Sequence, residues 1–213
     1  MGATRGLAHR EISVPPIQTP GLSALREGLP RYHPRMRTEN DPWKSSETGE
    51  AFSHCVRCRM PLVEIGSPWL VNKDFHRGEC VLEYAICQGC RDEVTESLSE
   101  SSKQEVRRFL ETEIDWEARI AGFMSSRDPL DRLRTCVACS TPAAEADGYA
   151  ISALFDEGGR IVTRPLPLLL CRCCIDRLLE HLSDESQEVW RQFLGDCFDG
   201  PPPADGKAGF GFF

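Results

Sequence analysis

Two stretches of the chain alternate apolar and polar residues with a period of two, which is the pattern of half-buried β-strands. The first stretch covers 69–86 and reverses at a glycine, and the second covers 149–170 and reverses at 156–159. Each stretch therefore predicts a β-hairpin. Because proline cannot donate a ladder hydrogen bond, Pro165 and Pro167 predict that the second returning strand is irregular or lies at a sheet edge.

A helical pattern follows each hairpin. After the first hairpin and its helix, a further helix is predicted to begin near Ser102, where Glu105 lies at capping-box spacing, and to continue toward Ile120. After the second hairpin, the matching helix is predicted to begin at Ser183 and to end near Gly195. The same order of elements thus occurs twice, which predicts a small α+β fold built from an internal repeat.

Four Cys-x-x-Cys pairs lie at matching places in the two repeats. Cys87 and Cys171 are 84 residues apart, whereas the leading pairs, which begin at Cys55 and Cys136, are 81 apart. The length difference must therefore lie between the two pairs of each repeat, where a loop absorbs it most easily. The paired residues are Cys55/Cys58 with Cys87/Cys90, and Cys136/Cys139 with Cys171/Cys174.

Cysteines at this spacing are typical of tetrahedral zinc ligands, so the sequence predicts two structural Zn²⁺ ions per chain. A disulfide framework is the alternative for a chain with eleven cysteines. The odd count, the close pairing and the lack of a secretory signal in the first ten residues favour zinc in a reducing compartment. We therefore expect a cytoplasmic protein.

A zinc knuckle, a hairpin and a helix that carries the last two cysteines form the plan of the treble-clef zinc finger, which this sequence resembles twice. The resemblance covers roughly 53–100 and 134–183. It implies that Cys55, Cys58, Cys87 and Cys90 bind one Zn²⁺ and that Cys136, Cys139, Cys171 and Cys174 bind the other. The repeat register favours Cys174 over Cys173 as a ligand, and Cys80, Cys173 and Cys197 have no counterpart in the other repeat.

The predicted organisation has four parts. A proline-rich, disordered leader covers 1–50, the first zinc-binding repeat 51–126, the second 127–196, and a flexible tail 197–213. Aromatic residues in the Gly- and Pro-rich tail have little core to join. Phe210, Phe212 and Phe213 are therefore predicted either to dock on a partner or to fold back onto the chain's own body.

The charge distribution disfavours nucleic acid as a ligand. Residues 1–50 carry seven basic and six acidic side chains, and the rest of the chain carries 18 basic and 27 acidic ones. Two Zn²⁺ sites with four thiolates each add a further −2 apiece, which brings the metal-bearing region to about −13. A phosphate backbone is repelled by such a surface. No apolar run approaches the ~20 residues of a membrane span.

No catalytic motif accompanies the cysteines. A closed Cys₄ site has no open coordination position, and no deaminase, zinc-protease, P-loop or nucleophile-elbow pattern is present. We therefore expect a non-enzymatic zinc protein that acts as a protein-interaction or assembly scaffold and whose partner is another protein. A nucleic-acid-binding finger and a zinc-thiolate redox sensor are the alternatives, and the oligomeric state stays open. Partner anchors or core residues are Trp69, Trp116, Trp190 and Phe193.

Overall fold

The structure is a computed structural model that describes residues 41–125, 128–163 and 166–198. Its strands are β1 (Trp69–His76), β2 (Glu79–Cys87), β3 (Gly148–Phe155) and β4 (Leu168–Cys171). Its helices are α1 (Gln88–Glu96), α2 (Glu100–Thr112), α3 (Trp116–Ser125), α4 (Arg172–Leu179) and α5 (Asp184–Cys197). Short 3₁₀ turns occupy Leu62–Glu64, Pro129–Leu133 and Ala143–Glu145. None of the helices in these ranges is long and apolar enough to cross a membrane.

The two predicted hairpins are present, and they join into one antiparallel sheet of order β2-β1-β3-β4. The first hairpin is closed by Arg77 and Gly78, both at positive φ (51° and 83°), which is the conformation of a type I′ turn. The second returning strand, β4, is only four residues long and lies at the sheet edge, as its prolines predict. The sequence did not predict that β1 would pair with β3, which makes the two repeats share a sheet.

The strand register relates the two halves by an approximate two-fold axis. Cys87 pairs with Trp69, and Cys171 pairs with Tyr149, 80 residues after Trp69. Asn72 and Ser152, also 80 apart, pair with each other in the middle of the β1–β3 ladder. Ser152 Oγ donates to Asn72 Oδ1, so these two buried side chains meet at the axis.

The difference in repeat length is therefore divided between two loops. The knuckles are shifted by 81 residues, the inner strands by 80 and the strand–helix junctions by 84. The second repeat is thus one residue shorter before its inner strand and four residues longer in its hairpin. Both changes lie between the two cysteine pairs, in agreement with the sequence, and leave the paired strands intact.

The helices pack across the two halves, since α1 contacts α5 and α2 contacts α4. Their caps meet in a cluster of four serines. Ser183 N donates to Ser102 Oγ and Ser99 N donates to Ser186 Oγ, both at 2.9 Å, while Ser102 and Ser186 are fully buried. Each half thus satisfies the buried backbone N–H of the other half.

This serine cluster corrects the predicted start of α2. Ser99, not Ser102, is the N-cap, because Ser99 Oγ accepts from Ser102 N. Ser102 Oγ instead faces the other half. The predicted continuation toward Ile120 is also wrong: the chain breaks after α2, and α3 begins at Trp116, whose Nε1 donates to Leu110 O at 2.7 Å.

Different segments cover the two faces of the sheet. On one face, Tyr84 packs edge-on against Phe193 of α5, with ring centroids 5.8 Å apart. The neighbouring residue, Glu83, points to the other face, where Ser45 Oγ and Ser46 N donate to its carboxylate. Residues 41–50, which the sequence assigned to the leader, therefore pack on the sheet, and Trp43 there is buried.

An ion pair fixes this N-terminal segment. Lys73 Nζ lies 3.0 Å from Glu83 Oε2 and also donates to Lys44 O and Ser46 Oγ at 2.7 Å. The Lys73 side chain is only 4 % exposed, so the carboxylate and both acceptors are needed to offset its desolvation. The segment that precedes the first knuckle is thus part of the folded body.

Candidate metal centres

Each predicted set of four cysteines is brought together by the same three elements. The leading pair lies on a knuckle before the inner strand, the third cysteine ends the outer strand and caps the next helix, and the fourth lies in that helix's first turn. In each set the four Sγ atoms lie within 4.8 Å of one another. The sets are Cys55, Cys58, Cys87 and Cys90, and Cys136, Cys139, Cys171 and Cys174.

The sulphur spacing fits one metal ion in each set. Cys58 Sγ lies 4.0 Å from Cys87 Sγ, and Cys139 Sγ lies 3.5 Å from Cys171 Sγ. Four sulphurs at about 2.3 Å from a tetrahedral Zn²⁺ are about 3.8 Å apart. Three sulphurs of each set are buried and one, on Cys58 or Cys139, belongs to an exposed residue.

Backbone N–H groups are aimed at the buried knuckle sulphurs. Cys87 N donates to Cys55 Sγ at 3.4 Å, and Cys171 N donates to Cys136 Sγ at 3.3 Å. These donors belong to the N-caps of α1 and α4, where unpaired amides and the positive end of the helix dipole favour a thiolate. The strand-to-helix junction therefore supplies both ligands and charge stabilisation.

The knuckles also cover the edges of the sheet. Val56 N donates to Ala85 O on β2, and Val137 N donates to Leu169 O on β4, both at 2.8 Å. Each knuckle thereby satisfies a carbonyl of an edge strand that would otherwise face solvent or another chain. Metal ligation and sheet termination are thus built by the same short segment.

The thiols of each set differ in acidity in a way that calls for a cation. Burial opposes ionisation of Cys55, but backbone N–H donors from Cys87, Cys58 and Arg57 outweigh it and lower its pKa to about 7. In the helix turn, burial and the neighbouring thiols raise the pKa of Cys90. Four thiolates so close together repel one another, so full ionisation requires a bound positive charge.

The second set shows the same contrast with one additional donor. Burial opposes ionisation of Cys139, but the hydroxyl and backbone N–H of Thr141 lower its pKa to about 6, and Thr141 Oγ1 lies 3.1 Å from the sulphur. Burial and the charge of Cys136 raise the pKa of Cys174. At the place of Thr141 the first knuckle has Met60, which is 51 % exposed. The sequence offered no signal for this hydroxyl.

The other residues singled out in the sequence lie outside the two sets. Cys173 is exposed, Cys197 is buried in the last turn of α5, and Cys80 Sγ lies 3.5 Å from Glu83 Oε2. Trp69, Trp190 and Phe193 are core residues, at 6 %, 2 % and 5 % exposure. Phe210, Phe212 and Phe213 fall outside the described residues.

Comparisons of the chain with protein-family models, with curated proteins and with solved structures find no match. The class of site is therefore defined by its own geometry. Two closed Cys₄ clusters, each at a strand-to-helix junction, fit two zinc-type metal centres.

Proposed function

We propose that the protein is a non-enzymatic interaction module whose fold is held by two structural Zn²⁺ ions in treble-clef-type fingers. The observation that carries this proposal is the closure of both cysteine sets, in which four sulphurs lie within 4.8 Å of one another. A closed four-sulphur shell has no position for water or substrate, so its metal acts on folding. The order knuckle, strand pair and helix supports the treble-clef assignment.

Exposed apolar side chains beside the first knuckle support a protein partner. Met60 and Val63 are 51 % and 69 % exposed and lie three residues apart. In the second half Thr141 and Ala144 take their places at the same 81-residue shift. A pair of large apolar residues on one half only is consistent with a surface kept for binding, since isolated exposed residues are common but clustered ones mark interaction sites.

The metal part of the proposal is tested by counting ions. Native mass spectrometry of the purified chain should show two Zn²⁺, and Co²⁺ substitution should give the visible spectrum of tetrahedral thiolate coordination. Cys87→Ser should remove one ion, whereas Cys80→Ser, outside both sets, should leave two. A chain that folds fully without metal would contradict the structural role.

The interaction part is tested with the full metal-loaded chain as bait. A double variant with Met60→Ser and Val63→Ser should lose a partner that the matched Ala144→Ser variant keeps. The two alternatives have their own readouts. Retention on heparin or RNA at physiological salt would favour nucleic-acid binding, and release of zinc by low peroxide with thiol oxidation would favour redox sensing.

A further inference from the structure

A cleft of about 180 Å³ opens between α1 and α5, next to the first cysteine set. Its walls combine the apolar side chains of Val94, Val189 and Phe193 with the cationic side chain of Arg57 and the carboxylate of Asp196. Arg57 is held at this position because its Nη1 donates to Cys90 O at 3.2 Å and to Glu93 Oε2 at 2.7 Å. An apolar floor with a fixed cation at the rim suits an aromatic ligand.

The matching place in the other half, between α2 and α4, is built differently. At the 84-residue shift, Val189 corresponds to Glu105, Cys197 to Glu113 and Glu93 to Arg177. Glu105 pairs with Arg108, and Arg177 Nη2 donates to Glu113 Oε2. Ion pairs thus take the place of the apolar wall. The cleft is a property of one half and not a general consequence of the fold.

The chain itself leaves the described structure at this cleft. Phe193, Asp196 and Cys197 in the last turn of α5 line it, and Arg59 Nη2 donates to Cys197 O at 3.3 Å. Eleven residues separate Phe198 from Phe210, enough to span up to roughly 36 Å when extended. An aromatic segment on this connection is present at high effective concentration near the cleft.

We propose that the cleft between α1 and α5 binds the aromatic segment Phe210–Phe213 of the same chain. A phenylalanine ring covers Val94, Val189 and Phe193 and lies against the Arg57 guanidinium. Lys207, three residues before the segment, complements Asp196 at the rim. Gly209 and Gly211 allow the backbone to approach closely. This inference does not depend on the metal being zinc or on a protein partner.

The test compares the full chain with a full-length variant in which Phe210, Phe212 and Phe213 are all serine. Hydrogen–deuterium exchange is followed in α1 and in the last turn of α5. Loss of the buried ring should speed exchange there by roughly tenfold, with no change in α4. A capped synthetic peptide of residues 208–213 added to the serine variant should restore the protection.

Two cleft variants and one control complete the experiment. Val189→Glu, which copies the matched residue of the other half, and Gln192→Trp, which fills the cleft from an exposed position, should both abolish the protection. Glu105→Gln should leave it unchanged. Equal exchange in the full chain and the serine variant would overturn the proposal. So would protection that disappears on dilution, because it would show that a second copy supplies the segment.

Discussion

The two metal centres share their backbone plan and differ in the side chains around the exposed sulphur. In both, an N-cap amide donates to the first knuckle cysteine, and the residue after the knuckle adopts a positive φ, 62° at Arg59 and 61° at Ser140. Around the exposed sulphur the second centre has Thr141, whereas the first has an exposed Met60. Backbone geometry that binds metal is duplicated, and the surface around it is not.

The same contrast extends beyond the centres. The four-serine cluster and the Asn72–Ser152 pair lie on or near the axis and are shared by both halves. The N-terminal segment anchored by Glu83 belongs to the first half alone, since the matching position is Pro167. Groups near the axis serve folding, and departures from symmetry lie where an exposed surface or an added segment is built.

The largest expected effect tests whether the halves fold as one unit. Cys55→Ser and Cys136→Ser each remove a buried ligand from a different centre, at a cost on the order of 10 kcal/mol of metal-coupled folding energy. Because β1 and β3 share a ladder, we expect either variant to unfold both halves in a single transition in circular dichroism. Two separate transitions, one for each half, would contradict the shared fold.

Glu83 tests the segment that only the first half carries. Burial disfavours its charge, but donors from Ser45, Ser46 and Lys73 outweigh this and lower its pKa to about 2. Since the folded pKa lies below the unfolded value near 4.5, the stabilisation is complete above about pH 4.5 and is lost as pH falls toward 2. Glu83→Gln should cost about 2–3 kcal/mol in denaturant unfolding.

The pH dependence separates this effect from general weakening of the fold. The loss in Glu83→Gln should stay constant between pH 5.5 and 7.5, because Glu83 is ionised throughout that range. The exposed Glu64→Gln serves as control and should change the unfolding free energy little. A loss that shrinks within that pH range would show that another group is responsible.

The serine cluster tests the symmetry directly. Ser102→Ala and Ser186→Ala each leave a buried N–H of the opposite half without its acceptor, at a cost of about 1–2 kcal/mol each. The two losses should be equal within error, and a double-mutant cycle should show coupling between them. Clearly unequal losses would mean that the two sides of the axis are not equivalent in solution.

The smallest effect concerns the exposed sulphurs. Thr141→Val removes the hydroxyl beside Cys139, and we expect metal release from the second centre by a thiol-alkylating reagent to become roughly fivefold faster, since the hydrogen bond contributes about 1 kcal/mol. Met60→Thr should slow release from the first centre. A chromogenic chelator follows both rates. Unchanged rates would show that the hydroxyl does not protect the sulphur.

The repeat and its ligands could be predicted because their signals are local. Spacing within Cys-x-x-Cys and period-two alternation each depend on residues close in the chain. The cap of α2 was misplaced for the opposite reason. Ser99 and Ser102 both suit an N-cap, and only Ser183 of the other half determines which hydroxyl faces inward. Trp43 likewise has no local pattern around it, and its burial depends on the sheet face it covers.

The sequence alone determined the duplicated order of knuckle, hairpin and helix, the two sets of four cysteines and the edge position of the proline-containing strand. Only the tertiary structure decided that β1 pairs with β3, that the helices pack across the halves, and that residues 41–50 join the body. Strand and helix pairing between distant segments depends on complementary surfaces, which no short window of sequence contains. The cleft beside the first centre arises from that pairing, where an apolar Val189 stands opposite α1 and the other half has Glu105.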